Sequence, residues 1–418
     1  MTKTNSTLPK AAIFSTDLRI TAAIAVGLLL IALIGSAAPP AQAQTFTILH
    51  SFAGPDGKSP YAGVTMDQTG NLYGTTFEGG NTGGDCGSNG CGTVFELKPE
   101  GSGWILHPLY TFSGPDGANP TARVIIGPDG NLYGTTGSGG AANLGTVFRL
   151  RPPATACKTA LCPWTETVLH SFQGGSDGAL PQYGDLVFDQ QGNIYGTAPY
   201  GGSPTPNCSS GCGVAYELTP SNGAWTESIL YRFQGENDGG VPFAGLIFDT
   251  AGNLYGTTAL GGTDFGVVYK LSPSEGGWTE SVIYAFPFDA DPYGGLIFDQ
   301  IGNLYGITNG PTQDQTVVYE LTPAGSGWTF NQLYSFYVGS FAKLTMDPAG
   351  NLYGTLWAAG LDVFRLTPSN GQWTQTGFTG GVGDFRYGSV ILDASGNVYA
   401  TASGAGSYGV GAVFEITP

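Results

Sequence analysis

Six cysteines fall in three close pairs: Cys86 with Cys91, Cys157 with Cys162, and Cys208 with Cys212. None has C-x-x-C spacing and no histidine stands close by, so the pairs serve zinc poorly. In a chain outside the reducing cytoplasm they read as local disulfides. Each closes only a small loop and is a staple for that loop more than for the fold. The three histidines offer little. His50 and His170 take a place held elsewhere by Tyr110, Tyr231, Tyr284 and Tyr334, and read as tyrosine replacements on a half-buried strand. His107 has no evident partner, and no Ser-His-Asp or Cys-His arrangement is set out by spacing. A carboxylate pair for glycoside hydrolysis would meet only in the fold, and nothing in the chain picks one out. No catalytic residue, metal ligand or cofactor is therefore assigned.

Binding chemistry has better candidates. Arg123, Asp185 and Lys343 share one position of an internal repeat, where the other units hold Gly63, Gly245, Gly295 and Ser389. Two residues earlier the units carry Tyr61, Thr121, Tyr183, Phe243, Tyr293, Phe341 and Tyr387, and the residue between is always Ala or Gly. A structural position repeats, and the charged one does not. Aromatic rings beside Arg123, Asp185 and Lys343 suit a polar ligand with flat apolar faces, a glycan, or a peptide. The plainer alternative is that the aromatics wedge turns and the charges sit in a wet channel mouth.

The repeat itself is the segment Gly70-Asn71-Leu72-Tyr73-Gly74, whose asparagine recurs at Asn131, Asn193, Asn253, Asn303, Asn351 and Asn397, in steps of 60, 62, 60, 50, 48 and 46 residues. A period near fifty points to a propeller or another array. Each unit reads as four short strands, a to d, typified by Gly245–Asp249, Asn253–Thr258, Val267–Leu271 and Trp278–Phe286. They are β-branched and aromatic, with Gly, Pro, Asn and Asp between them. The a–b turn is Asp-x-x-Gly-Asn, which makes Asp67, Asp189, Asp249, Asp299, Asp347 and Asp393 turn residues and not metal ligands. The second unit departs from this, with Gly127-Pro128-Asp129-Gly130. Trp104, Trp164, Trp225, Trp278, Trp328 and Trp373 open the d regions and read as packing between blades. Strand c carries Glu96, Arg149, Glu217, Lys270, Glu320, Arg365 and Glu415, a charge alternation read as setting blade order.

The last unit has no strand d, and Thr45–Phe52 matches the strand d of other units, as in Val168–Phe172. The amino-terminal strand is thus expected to complete the carboxy-terminal blade, closing a seven-bladed all-β propeller and removing its sheet edges. In such blades the d–a and b–c loops share one face, here termed the top. The charged and aromatic positions start strand a there, beside the channel. Asp56, Asp116, Asp177 and Asp238 in the d–a loops each precede Gly and read first as turn residues; together they make that face acidic, with a divalent cation there the weaker alternative.

The G-N-L-Y-G-T-T segment followed by G-T-V-F-E-L, at Gly70–Thr76 and Gly92–Leu97, resembles the Gloeo/Verruco (GloVer) tandem-repeat family of exported bacterial proteins. The resemblance spans essentially all of the chain after residue 43. It implies export and repetition, with no assigned activity. Members often carry a carboxy-terminal anchor (choice-of-anchor), and Ile416-Thr417-Pro418 has no such tail, so covalent surface attachment is not expected.

Composition agrees with this reading. The 418 residues have a net charge of −17, only 11% charged residues, 12% aromatics and 69 glycines. Such aromatic content excludes disorder, the charge excludes a basic nucleic-acid binder, and the glycine excludes a helical bundle. Lys3, Lys10 and Arg19 precede an apolar run from Ile20 to Ala38, and Ala41-Gln42-Ala43 fits an A-x-A cleavage site. Residues 1–43 therefore read as a signal peptide, with retention as a membrane anchor the alternative, and 44–418 as one propeller domain. The expected product is a secreted or periplasmic monomer without nucleic-acid or membrane partners. It acts as a binding module for a glycan or peptide at the top of the channel. A carbohydrate-active hydrolase or lyase and a purely structural envelope or matrix protein are the alternatives.

Overall fold

A computed structural model describes residues 44–417 apart from 154–163, 264, 288–289, 310–314, 326, 358–362 and 379–387. Residues 1–43, the Cys157–Cys162 pair and Tyr387 lie outside the described residues. The strands form seven four-stranded antiparallel sheets. Blade 4 shows the pattern: strand a Ile247–Phe248, b Leu254–Thr258, c Val267–Ser274 and d Gly277–Ala285. Strand a is shorter than its sequence run, because only Ile247 and Phe248 pair with strand b, at Tyr255 and Leu254. The residues before them line the channel without a ladder partner.

The seventh sheet joins both ends of the chain. Thr45–Ser51 pairs antiparallel with Ala412–Thr417, from Thr45 opposite Thr417 to Ser51 opposite Ala412. It supplies the missing strand d, so the ring is closed and Thr45–Thr417 forms one compact unit.

Each letter of the repeat has a task. At the a–b turn of blade 4, Asp249 Oδ1 accepts the N–H groups of Ala251 and Asn253, both at 2.9 Å. Its Oδ2 accepts Asn253 Nδ2 at 2.6 Å and the Tyr255 hydroxyl at 3.1 Å. Four donors onto one carboxylate fix the hairpin, and they hold Asp249 below the usual carboxylate range against the opposing effect of burial. In blade 2, Asp129 takes over from two positions along, accepting Asn131 Nδ2 at 2.5 Å and the Tyr133 hydroxyl at 2.8 Å. In blades 1 to 6 the glycine after the b-strand tyrosine leaves room for a strand-c ring: a Cβ on Gly256 would stand 2.5 Å from the Tyr269 hydroxyl oxygen. The threonine that follows links blades. Thr197 Oγ1 donates to the Ala244 carbonyl at 2.9 Å, and Thr401 donates to the Ala62 carbonyl at 2.5 Å across the closure.

The tryptophans pack as expected. Trp278 of blade 4 meets Tyr195 of blade 3 at 6.1 Å, and Trp104 of blade 1 meets Tyr399 of blade 7 at the same distance. The strand-c charges find a partner within their own blade. They lie opposite the b-strand tyrosine of their own blade: Tyr195 donates to Glu217 at 2.8 Å, Tyr305 to Glu320 at 2.8 Å, and Lys270 Nζ sits 5.7 Å from the Tyr255 ring centre. Charge alternation thus reflects alternative partners for one tyrosine.

Candidate functional site

The entry to strand a of each blade rims the channel, and there the described aromatic positions divide. Tyr183, Phe243, Tyr293 and Phe341 form a continuous arc over blades 3 to 6, with ring centres 6.0, 5.1 and 5.1 Å apart in turn. Tyr61 packs instead on Phe77 at 5.0 Å. Thr121 is buried, and its hydroxyl accepts the Tyr183 N–H at 3.1 Å. Tyr183 has φ 63°, alone in the left-handed region among the described residues of this set. An aromatic side chain there costs on the order of 1–3 kcal/mol. The buried Thr135 hydroxyl, one repeat unit before it, makes no hydrogen bond, unlike its counterparts in blades 1, 3, 4, 6 and 7.

The arc divides two cavities of about 370 Å³ each. The outer one opens on the top face, where Tyr200, Asp291 and Asn309 join the arc. The inner one runs down the channel past Arg123, Asp185, Lys343 and Ser389 to Phe188 and Phe248. Tyr183, Tyr293 and Phe341 border both.

The structure brings the three charged residues together in the inner chamber. Asp185 Oδ2 accepts Arg123 Nε at 2.9 Å and also its terminal nitrogen, while Oδ1 accepts the Arg123 N–H at 3.1 Å. Both side chains keep about a sixth of their surface open, 18% and 17%. Burial works to raise Asp185, but the charges of Arg123 and Lys343 and the Arg123 hydrogen bonds outweigh it and hold the carboxyl low. Lys343 is lowered by burial, with Asp185 opposing and Arg123 adding to the effect. Among the described residues Lys343 has no carboxylate within ion-pair distance, and Arg123, Asp185 and Lys343 together carry a net charge of +1 inside a chain of net charge −17.

The glycines at the same level explain themselves. A Cβ on Gly63 would lie 2.1 Å from the Ser389 carbonyl oxygen, and one on Gly245 would lie 2.3 Å from that of Asp185. Neighbouring a strands touch there, so glycine is a packing requirement. Gly295 leaves the surface across which Lys343 lies, with its Cδ 3.2 Å from where a Cβ would be.

A second constellation sits away from the channel, at the top of the boundary between blades 2 and 3. His170, Asp177 and Glu227 converge there, with one ligand atom from each within 4.8 Å of the others. Burial, then the hydrogen bond and charge of Asp177, push Glu227 up to about 9, with Arg232 opposing. The sequence reading takes His170 for a plain tyrosine replacement and Asp177 for a turn residue. The signal it passes over is a glutamate on strand d of the following blade.

Asp56, Asp116 and Asp238 are consumed by their own corners. Asp116 Oδ2 accepts the Tyr110 hydroxyl at 2.6 Å and Oδ1 the Ser113 N–H at 2.8 Å. His50 likewise reaches Asp56 at 2.8 Å. Two disulfides are formed, Cys86–Cys91 and Cys208–Cys212, both in b–c loops on the top face.

The GloVer-type repeat matches the Gloeobacter/Verrucomicrobia repeat model over residues 38–205 and 160–362. The chain belongs to the Gloeobacter/Verrucomicrobia repeat family. No curated protein matches this sequence. Among solved structures, this family member is similar to PorZ, a bacterial surface component of the type-IX secretion system of Porphyromonas gingivalis. The TM-score is 0.52 and the identity 13%, over 88% of this chain and 47% of that one. It is similar to a chain of the mitotic checkpoint complex (TM-score 0.54, 13% identity, 91% and 95% covered). A gluconolactonase from Xanthomonas campestris gives 0.44 at 12% identity, with 90% of each chain covered. At such identities the likeness shows the propeller fold alone. The two disulfides and the family both fit a compartment outside the reducing cytoplasm. Among the described residues no helix is long and apolar enough to cross a membrane.

Proposed function

We propose that this repeat protein is exported, with residues 1–43 removed as a leader, and that it binds a polar ligand, a glycan or a peptide, at the top of its channel. The observation that carries this reading is the pairing of an aromatic arc with a charged chamber directly beneath it. Tyr183, Phe243, Tyr293 and Phe341 offer flat faces to sugar rings or side chains. Lys343, which lacks an ion-pair partner among the described residues, offers charge to an acidic or hydroxyl-rich group below. The Arg123–Asp185 pair gives that chamber fixed donors and acceptors. The strained backbone at Tyr183 is of the kind that collects at ligand sites.

Glycan and peptide arrays probed with the protein, with and without calcium, test the proposal. A saturable hit is expected. Removing Arg123 and Asp185 together, as Arg123→Ala with Asp185→Ala, avoids leaving either member of that pair without the other. It is expected to abolish binding of the hit. Unchanged binding rejects the site. Chemical conversion of the hit would replace the binding reading with an enzymatic one.

A further inference from the structure

Three consecutive blade boundaries carry the same corner. A residue near the top of strand d meets an aspartate of the following loop and a glutamate on strand d of the next blade. The sets are Tyr110, Asp116 and Glu166; His170, Asp177 and Glu227; Tyr231, Asp238 and Glu280. In the outer two sets the tyrosine hydroxyl donates to the aspartate, at 2.6 and 3.0 Å. In the middle set an imidazole replaces the hydroxyl. His170 Nε2 lies 3.2 Å from Asp177 Oδ1 and 3.7 Å from Glu227 Oε1. Nε2 and Oε1 are sealed from solvent, and neither has a hydrogen-bond partner. At the boundary of blades 7 and 1, His50 has its aspartate, Asp56, but Leu106 stands in the glutamate's place. Only the middle corner therefore unites a nitrogen and two carboxylates.

We propose that His170, Asp177 and Glu227 bind a divalent transition-metal ion, Zn²⁺ foremost, that fastens blade 2 to blade 3. Bonds of about 2.1 Å in tetrahedral geometry place ligand atoms about 3.4 Å apart, and the two separations from Nε2 bracket that value. One imidazole and two carboxylates are donors that Zn²⁺ accepts, with a fourth position for water. The three side chains keep 12–19% of their surface exposed, so the cluster lies close beneath the surface. The site is invisible to spacing rules because its ligands stand 7 and 50 residues apart and on two blades.

Zn²⁺ titration calorimetry and metal analysis after gel filtration, on the purified full chain, test this. One ion per chain is expected. His170→Tyr restores the residue of the neighbouring corners, so it should fold, with an unchanged melting temperature in the absence of metal. It should weaken Zn²⁺ binding about a hundredfold. His170→Ala gives a second reading if the tyrosine variant fails to fold, and His50→Tyr should leave Zn²⁺ binding untouched. Tyr231→His should add a second ion, because Asp238 and Glu280 already stand in place. Undiminished Zn²⁺ affinity in both His170 variants overturns the proposal. So does an absence of Zn²⁺ binding by the wild-type protein, or a folded Tyr231→His protein that takes up no second ion.

Discussion

The two faces of the ring follow different rules. On the bottom face, where strand a turns into strand b, every described corner closes on an aspartate, an asparagine and a tyrosine, even in blade 2, where Asp129 serves from a shifted place. On the top face the corners diverge. Blades 1 to 3 set a carboxylate against the next blade's glutamate. At the boundary of blades 4 and 5, Phe330 takes the glutamate's place and stacks on Tyr284 at 5.0 Å. The channel layer below diverges further, from glycine to Arg123, Asp185, Lys343 and Ser389. Constancy marks what each blade needs in order to fold. Divergence on one face marks where the protein is free to hold something else.

The severest break is steric. Gly245→Ala forces a Cβ against the Asp185 backbone, where neither side can give, and should cost about 3 kcal/mol in urea unfolding. Next is the constant corner: Asp249→Ala strips four donors of their acceptor and should cost about 2 kcal/mol, measured the same way. Thr401→Val, which removes the hydroxyl bond across the closure, should cost about 1 kcal/mol.

The mildest effect belongs to the acidic top corners. Burial, with Asp116 adding its charge, pushes Glu166 up to about 7. Burial and Asp238 do the same for Glu280, from an ordinary 4.5. A raised carboxyl keeps its proton in the folded chain after the unfolded chain has lost it. Its contribution to stability is therefore lost as pH rises from about 4.5 through 7, and levels off above. Melting temperatures across that range should fall less in Glu166→Gln and Glu280→Gln than in the wild type. A wild type that grows more stable over the same interval, with no difference in the variants, contradicts this account.

Much of the ring was legible because its signals are local or repeated. The match of Thr45–Phe52 to other d strands foretold closure, since a β-edge needs a partner. Asp-x-x-Gly-Asn foretold the turn, because one carboxylate can reach both N–H groups. Departure from the repeat singled out Arg123, Asp185 and Lys343 as a set. It did not foretell that the first two would form an ion pair, nor that Gly63 and Gly245 are required because adjacent strands touch. The His170 corner escaped notice, since its glutamate belongs to another blade and only the packing of d strands brings it near. The conformation of Tyr183 left no trace in residue type.

The top of the channel is expected to bind, and the bottom corners only to hold the fold. Lys343→Met and Asp249→Ala separate the two, measured side by side for thermal stability and for affinity to a ligand found on the arrays. Lys343→Met should lose binding and keep or raise the melting temperature, because it removes a largely buried charge that has no ion-pair partner among the described residues. Asp249→Ala should melt earlier and bind as the wild type does. Full affinity in Lys343→Met, or lost affinity in a folded Asp249→Ala, would contradict the account.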